Sequence, residues 1–340
     1  MAKEVKTKLG TDGVSFTNVE DYIKNNTNDF DIVPTLVSGD SFEVLAVQDD
    51  VKTSMYINAV SDEEAYIQGG DYTQTSAYGG IDISKRKIEV EEVHIKENYK
   101  KNQLLPKVTQ LLLKKGSDPS DYPTVIQNLV ESLKKQSIAQ KNEQMIWLGN
   151  KAYVLPHPGS SVPAEVKANK SVEHLKQIDG FIKLAKTSTV VKKSGVAASA
   201  WTVANAVANA KRLTKKFDDV CPELINEDKL LFLQPSEMQA FVEALGTAYV
   251  ATQSFKDDYG RIDKLRLPFG NFFLKQTIGL QGSNEKIIAR PKNLVIGTDL
   301  VGEENKFEFR KLENRSFELF AIWKIGAQIY NEAEVLIEKI

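Results

Sequence analysis

"SFELFAIWKIGAQIYNEAEVLIEKI", residues 316–340, contains the clearest strand signal in the chain. Successive side chains of a strand point to opposite faces, so apolar residues at every second position predict a half-buried strand. We assign Phe317, Trp323 and Ile325 to its core face. At ~3.3 Å per residue the pattern spans about 43 Å, far beyond a typical strand of five or six residues. The apolar residues occupy successive odd positions: Phe317, Leu319, Ala321, Trp323, Ile325, Ala327 and Ile329.

A second long element is predicted at "PTVIQNLVESLKKQSIAQKNEQMIWLGN", residues 123–150. Proline at its start and Gly-Asn at its end favour a helix over residues 123–148, about 40 Å long. Its apolar stripe includes Ile126 and Leu133, fails at Gln140, and resumes only near Trp147. A helix of an ordinary bundle is one interpretation. The matched length of helix and strand favours the other, an elongated slab with the helix laid along a sheet.

The first hundred residues have little core of their own. Residues 1–40 are polar and read as an arm, and residues 41–92 are extended around a tip with two glycine pairs, "YIQGGDYTQTSAYGGIDI". The apolar positions slip by one between Val90 and Val93, as in a strand with a bulge. We expect a long hairpin that returns to a core strand; a sheet edge with a surface loop is the alternative.

Residues 171–313 alternate helical and strand patterns, including a helix from Trp201 to Phe217. A buried strand, a Pro-Ser turn and another helix follow in "DKLLFLQPSEMQAFVEAL". With the hairpin and the long strand, this indicates an α+β fold.

Catalytic and metal-binding patterns are missing from the sequence. There is no phosphate loop, GxGxxG, GxSxG, CxxC or HExxH, so we expect no cofactor and no metal. The single cysteine, Cys221, lacks a local base, and His94 and His174 lack an evident orienting partner. We therefore predict no catalytic residue. The competing hypothesis is a cytosolic enzyme that uses His94 with Glu91 or Glu92.

Charge and hydropathy restrict the partners. The formal net charge is -2, from 44 Lys and Arg against 46 Asp and Glu, which gives no footprint of a dedicated nucleic-acid binder. No stretch approaches the roughly 18 apolar residues of a membrane span, and the N-terminus lacks an apolar signal region. We expect a protein made in a cytosol-like compartment, without a membrane partner.

The order of these elements resembles the major capsid protein of tailed bacteriophages, the Hong Kong 97 fold. The resemblance rests on the arm, the hairpin, the helix ending in "IWLGN", the α+β middle, "RPKNLVIGTDL" and the C-terminal strand. It implies an N-terminal arm at 1–40 and an extended loop at 41–92. It also implies a peripheral domain at 93–170 and 314–340 with spine helix 123–148, and an axial domain at 171–313.

This resemblance implies a non-enzymatic shell protein that forms pentamers and hexamers and encloses double-stranded DNA, as part of a virion assembled in the host cytoplasm. Portal, scaffolding or decoration proteins would be further partners, and packaged DNA would be contacted weakly and without sequence specificity. The polar middle of the spine helix would be covered by arms and loops of neighbouring subunits. The hairpin tip would contact a neighbouring subunit through Gly69, Gly70, Tyr72, Tyr78, Gly79 and Gly80.

Two points limit the resemblance. Lys52, Lys85 and Lys87 lie in or near the proposed loop, but the Lys and Asn pair that crosslinks some members has no match, so we expect no covalent crosslink. An encapsulin-like protein compartment of the same fold remains the alternative within this family.

Overall fold

The computed structural model describes residues 40–62, 81–100, 134, 137–152, 173–246, 254–256, 262–299, 307–312 and 316–339. The described residues fall into two compact units. The first draws on Glu92–Ala139 and Val301–Trp323. The second draws on Gly39–Glu91, Gln140–Leu300 and Lys324–Ile340.

The described chain contains both helices and runs of consecutive strands, in agreement with the α+β prediction. The helices are α1 (Asp40–Val44), α2 (described over residues 137–148), α3 (Phe181–Thr187), α4 (Ala206–Val220) and α5 (Pro235–Leu245). The strands are β1 (Ala46–Gln48), β2 (Ser54–Asp62), β3 (Ile81–Glu89), β4 (Glu91–Lys100), β5 (Lys192–Lys193), β6 (Lys229–Leu233), β7 (Ser254–Lys256), β8 (Ile262–Arg266), β9 (Phe272–Gln276), β10 (Ile287–Ala289), β11 (Leu294–Thr298), β12 (Phe307–Leu312), β13 (Ser316–Ile329) and β14 (Leu336–Ile337).

The second unit is built on a seven-stranded mixed sheet with strand order β5-β14-β10-β6-β9-β8-β7. Its central strand β6 is buried at all five positions, as expected when both faces of a sheet are covered. Leu231 and Leu233 lie in a core cluster with residues of α4 and α5. The intervening Phe232 contacts Trp147 of α2, with ring centroids 4.8 Å apart. Helices therefore cover this sheet on both faces.

The long strand predicted at the C-terminus is present as β13. Its first half pairs antiparallel with β12, from Ser316 to Ala321, within the first unit. Its second half pairs antiparallel with β11, from Ile325 to Ile329, within the second unit. The odd positions from Leu319 to Ile329 are all buried, as period-two alternation requires.

Three local features differ from the interpretation of the sequence. Residues 41–44 are helical and not extended, because α1 places Ser41 against Glu143 of α2 and buries Phe42 and Leu45 three residues apart. The helix predicted from Trp201 begins instead at Ala206. The slip after Val90 is a break between β3 and β4, where the Val90 amide donates to the carbonyl oxygen of Thr53.

The last strand joins the middle of the chain. Strand β14 pairs with β10 and with β5 of the seven-stranded sheet. The pairing is explained by side chains, since Leu336 lies in the core cluster formed by α4, α5 and the central strands.

In the described part of the chain, no helix combines the length and the apolar character that crossing a membrane would demand.

Candidate functional site: the hairpin seat

The β2–β3 hairpin is the most extended element of the second unit. Nine residue pairs match in register, from Ser54 opposite Glu89 to Asp62 opposite Ile81. The tip, residues 63–80, lies outside the described residues. It includes all six predicted interface residues: Gly69, Gly70, Tyr72, Tyr78, Gly79 and Gly80. The described part of the hairpin is its two strands, residues 54–62 and 81–89.

The base of the hairpin packs on a small apolar cluster. Val51, Ile88, Val90 and Val295 are buried together, and Ile57 is among the partly buried residues packed against them. Burying one aliphatic side chain of this size contributes about 1.5–3 kcal/mol. These residues are contributed by the hairpin, by the segments next to it and by β11. The cluster therefore fixes the base of the hairpin to β11.

Two glycines extend this contact. Gly297 of β11 and Gly326 of β13 are direct register partners. A Cβ added at Gly297 would lie 2.7 Å from Cδ1 of Ile88 and 3.0 Å from Cγ1 of Val90. A Cβ added at Gly326 would lie 2.1 Å from the carbonyl oxygen of Glu89. Glycine in a strand commonly marks such a close backbone approach. We call Val51, Ile88, Val90, Val295, Gly297 and Gly326 the hairpin seat.

A paired charge beside the seat holds strand β3. The guanidinium of Arg86 forms two contacts with the carboxylate of Glu332, Nη1 to Oε1 at 2.9 Å and Nη2 to Oε2 at 2.8 Å. The hydroxyl of Ser188 also donates to Glu332, at 2.6 Å. Planar two-point pairing of this kind fixes direction as well as distance.

Further hydrogen bonds join the hairpin backbone to β13 and its end. The Tyr330 hydroxyl donates to the carbonyl oxygen of Asn58. The side-chain amide of Gln328 donates to the carbonyl oxygen of Lys87 at 2.7 Å. One strand of the hairpin is thus held by a tyrosine and the other by a glutamine.

A buried carboxylate supports the segment that precedes the hairpin. Asp299 is 3% exposed at its side chain and pairs with Lys52 at 3.0 Å and with Lys324 at 3.1 Å. The amide of Val51 donates to the carbonyl oxygen of Thr298 at 3.0 Å. Lys52, considered above as a crosslinking lysine, therefore has a structural partner in its own chain.

A surface cleft of about 270 Å³ lies against the hairpin base, lined partly by charged residues. Lys87 pairs with Glu89 at 2.7 Å, and Lys151 with Glu91 at 2.5 Å. The hydrogen bond between Lys87 and Glu89 raises the pKa of Lys87 and lowers that of Glu89. Both lysines of the cleft are thus paired with carboxylates of the same chain.

The predicted spine residues occupy different environments. Ile126 and Leu133 lie outside the described residues, Gln140 is exposed, and Trp147 is fully buried against Phe181 and Phe232. Of the core-strand residues, Trp323 and Ile325 are buried. Phe317 stands opposite Lys311 in the β12–β13 pairing.

Part of the polar character of the spine helix is explained inside the chain itself. Glu143 is buried and accepts from the amide of Ser41 at 2.9 Å and from its hydroxyl at 2.6 Å. The hydroxyl of Thr277 lies 3.3 Å from Glu143, and the indole N–H of Trp147 donates to Ser41 Oγ at 2.6 Å. Glu143 is therefore covered by its own chain, and the cover of the polar middle of the helix by neighbouring subunits stays a prediction.

The residues of the competing enzyme hypothesis do not assemble into a site. His94 and Glu92 are both exposed on β4, and no hydrogen bond joins this described pair, while Glu91 is held by Lys151. His174 shares a hydrogen bond with Gln144 at 2.9 Å. Burial raises the pKa of the Cys221 thiol to about 11, which disfavours the nucleophilic thiolate.

Comparison with known proteins gives a result at the level of fold. No family model matches the chain, and no curated protein matches it. A chain from the structure of the satellite phage P4 procapsid, which includes the size determination (Sid) protein, matches with a TM-score of 0.52 and 9% identity. The match covers 93% of this chain and 98% of that one.

Two further solved structures agree. The capsid of Myoviridae phage XM1 matches with a TM-score of 0.50 and 9% identity over 89% of this chain and 90% of that one. The capsid of Ralstonia phage GP4 matches with a TM-score of 0.50 and 10% identity over 99% and 95%. The fold expected from the order of elements is therefore confirmed: this chain has the Hong Kong 97 capsid fold.

Proposed function

We propose that the chain is a major capsid protein that self-assembles into the icosahedral shell around the double-stranded DNA of a tailed bacteriophage. The observation that carries the proposal is the match of almost the whole chain to capsid structures. The hairpin seat supports it, because a hairpin held at its base by packing, paired charge and hydrogen bonds can transmit force between subunits.

The proposed domain boundaries are those expected from the sequence. Residues 1–40 are the arm and 41–92 the extended loop. Residues 93–170 and 314–340, with spine helix 123–148, form the peripheral domain, and 171–313 form the axial domain. Pentamers and hexamers of the chain build the shell. Portal, scaffolding or decoration proteins complete the virion in the host cytoplasm.

The role is structural and not enzymatic in this proposal. The exposed His94 and the buried Cys221 thiol support it, since neither has, among the described residues, the partner that general-base or nucleophilic catalysis needs. The near balance of positive and negative residues fits a shell that binds its DNA weakly. An excess of Lys and Arg would bind the phosphates strongly and without regard to sequence.

Sedimentation and electron microscopy of the purified full-length chain test the proposal. A shell protein gives closed particles of megadalton mass, whereas a small oligomer as the only species contradicts the capsid role. Particles purified from an infected or induced host should contain DNA. Particles that carry protein cargo and no DNA point to the compartment alternative.

The hairpin tip gives a sharper test of the assembly interface. An Asn-Gly turn placed between Asp62 and Ile81 removes the tip, keeps the register of β2 and β3 and leaves the hairpin seat in place. We expect folded protein with a near-normal circular dichroism spectrum and few closed shells, because an isolated hairpin is marginal in water and gains order from a neighbour. Normal shells from this variant would show that the tip is only a surface loop.

A further inference from the structure

The loop of residues 194–205, between β5 and α4, combines ordered backbone with exposed apolar side chains. Val196 is 37% exposed and Val203 is 48% exposed. Trp201 is buried, at 4% exposure, and lies near Phe241 with ring centroids 6.2 Å apart. A loop with so little burial of its own needs contacts from outside to hold one conformation.

The main contact comes from Lys286, a fully buried lysine just before β10. Its ammonium group has three donors, and three acceptors surround it: the carbonyl oxygen of Ser199 at 2.6 Å, the carbonyl oxygen of Asn284 at 2.8 Å and Oε1 of Glu237 at 2.6 Å. The ammonium also lies 5.3 Å from the Trp201 ring centroid. One side chain thus binds both the backbone and the ring of the loop.

Two carboxylates complete the arrangement. Glu237 of α5 also accepts from the backbone amide of Trp201 at 2.9 Å. Glu338 lies 3.5 Å from Lys286 and 2.5 Å from Nη2 of Arg212 on α4. The buried Lys286 and the partly exposed Arg212 therefore balance two buried carboxylates. Because the loop supplies one carbonyl and one amide to this cluster, its conformation depends on that balance.

We propose that Lys286 and Glu237 form a clamp that positions the 194–205 loop. The clamp holds Ser199 by its carbonyl oxygen and Trp201 by its amide, and it keeps the exposed apolar side chains in a fixed arrangement. It operates separately from the hairpin seat. Lys286 is a positioning residue in this proposal and takes part in no chemistry.

A second buried lysine provides a matched control. Lys229 is also fully buried, lies 4.3 Å from the ring centroid of Phe272, and donates to the carbonyl oxygens of Leu224 and Ile225. It pairs with Asp218 at 3.2 Å. Replacing either lysine removes a buried charge beside an aromatic ring, but only Lys286 contacts the 194–205 loop.

Hydrogen exchange of the full-length chain under native conditions tests the clamp, with Lys286→Met and Lys229→Met compared with the wild type. We expect the loop of Lys286→Met, measured at the Trp201 amide, to open and exchange roughly tenfold faster or more, because the charge-assisted hydrogen bond from Lys286 to the Ser199 carbonyl oxygen is lost. In Lys229→Met, peptides covering residues 195–204 should keep their wild-type protection. Unchanged exchange of the loop in Lys286→Met, or equal acceleration in both variants, overturns the proposal.

Glu237→Gln serves as a second variant, because Lys286→Met leaves two buried carboxylates without their ammonium partner and can prevent folding. Glutamine keeps an acceptor for the Trp201 amide but weakens the hold on Lys286. Faster exchange confined to the loop, with β6 and β9 unchanged, supports the clamp. Wild-type exchange of the loop in Glu237→Gln overturns it.

Discussion

Gly297 and Gly326 face each other in register on β11 and β13, and the chain of Ile88, Glu89 and Val90 lies directly over them. The two glycines differ in what lies above them. Gly297 is covered by the ends of two aliphatic side chains, whereas Gly326 is covered by the backbone of Glu89. Because neither glycine has a side chain, the base of the hairpin approaches the β11–β13 strand pair more closely than any other residue at these two positions would allow.

That difference predicts unequal effects of alanine at the two positions. In Gly326→Ala the new methyl group meets a backbone oxygen that cannot rotate away, so we expect the free energy of unfolding to fall by ~2–3 kcal/mol. In Gly297→Ala the side chains of Ile88 and Val90 can adjust, and the loss should be near ~1 kcal/mol. Chemical denaturation of both variants measures this, and equal losses would contradict the close approach at Gly326.

The Arg86–Glu332 pair predicts a clear difference between neighbouring residues of β3. Arg86→Ala leaves the half-buried Glu332 with fewer partners, and we expect a loss of ~1.5–3 kcal/mol in unfolding free energy. Lys87→Ala is the control, because its pair with Glu89 is exposed and such pairs contribute little to stability. Arg86→Lys should not restore stability, since ammonium cannot form the two-point contact. Full rescue by lysine would show that charge alone matters.

Ser41 connects α1 to the spine helix by donating to Glu143 and accepting from Trp147. Ser41→Ala removes both contacts and leaves buried polar groups, so the free energy of unfolding should fall by ~2–3 kcal/mol. Gln140→Ala, an exposed change on the same helix, should alter stability by less than ~0.5 kcal/mol. Thermal denaturation of the two variants gives the comparison. A Ser41→Ala protein as stable as wild type would exclude an energetic role for this network.

Cys221 predicts a change of stability at alkaline pH. Its folded pKa, about 11, lies above the ordinary value of 9.0, because burial disfavours the thiolate. A raised pKa stabilises the fold below the unfolded pKa, and the contribution, at most ~2–3 kcal/mol, is lost as pH rises through the folded value.

Denaturation of wild type and Cys221→Ala between about pH 8.5 and about pH 11 isolates this contribution, because the other titrating groups are common to both proteins. The stability of wild type relative to Cys221→Ala should decrease across that interval. The native thiol should also react slowly with alkylating agents at neutral pH. Fast alkylation of the folded protein would place Cys221 in a more open environment than this one.

Sequence periodicity alone determined several elements. The alternation from Phe317 to Ile329 specified β13, because a strand must place every second residue on one face. The apolar run of residues 230–233 with the following Pro-Ser predicted β6 and α5, since local turn chemistry and burial agree there. The order of these elements was enough to indicate the fold that the comparisons confirm.

Only the tertiary structure decided the contacts between distant parts of the chain. Ser41 and Glu143 are separated by 102 residues, and Arg86 and Glu332 by 246, so no local pattern could pair them. The helical state of Asp40–Val44 follows from such contacts. Gly297 and Gly326 add nothing to a hydrophobic pattern in the sequence. Their role, to allow the close approach of the segment 88–90, is seen only in the tertiary structure. Periodicity indicates which face of an element is buried, whereas the segment that covers this face depends on the fold as a whole.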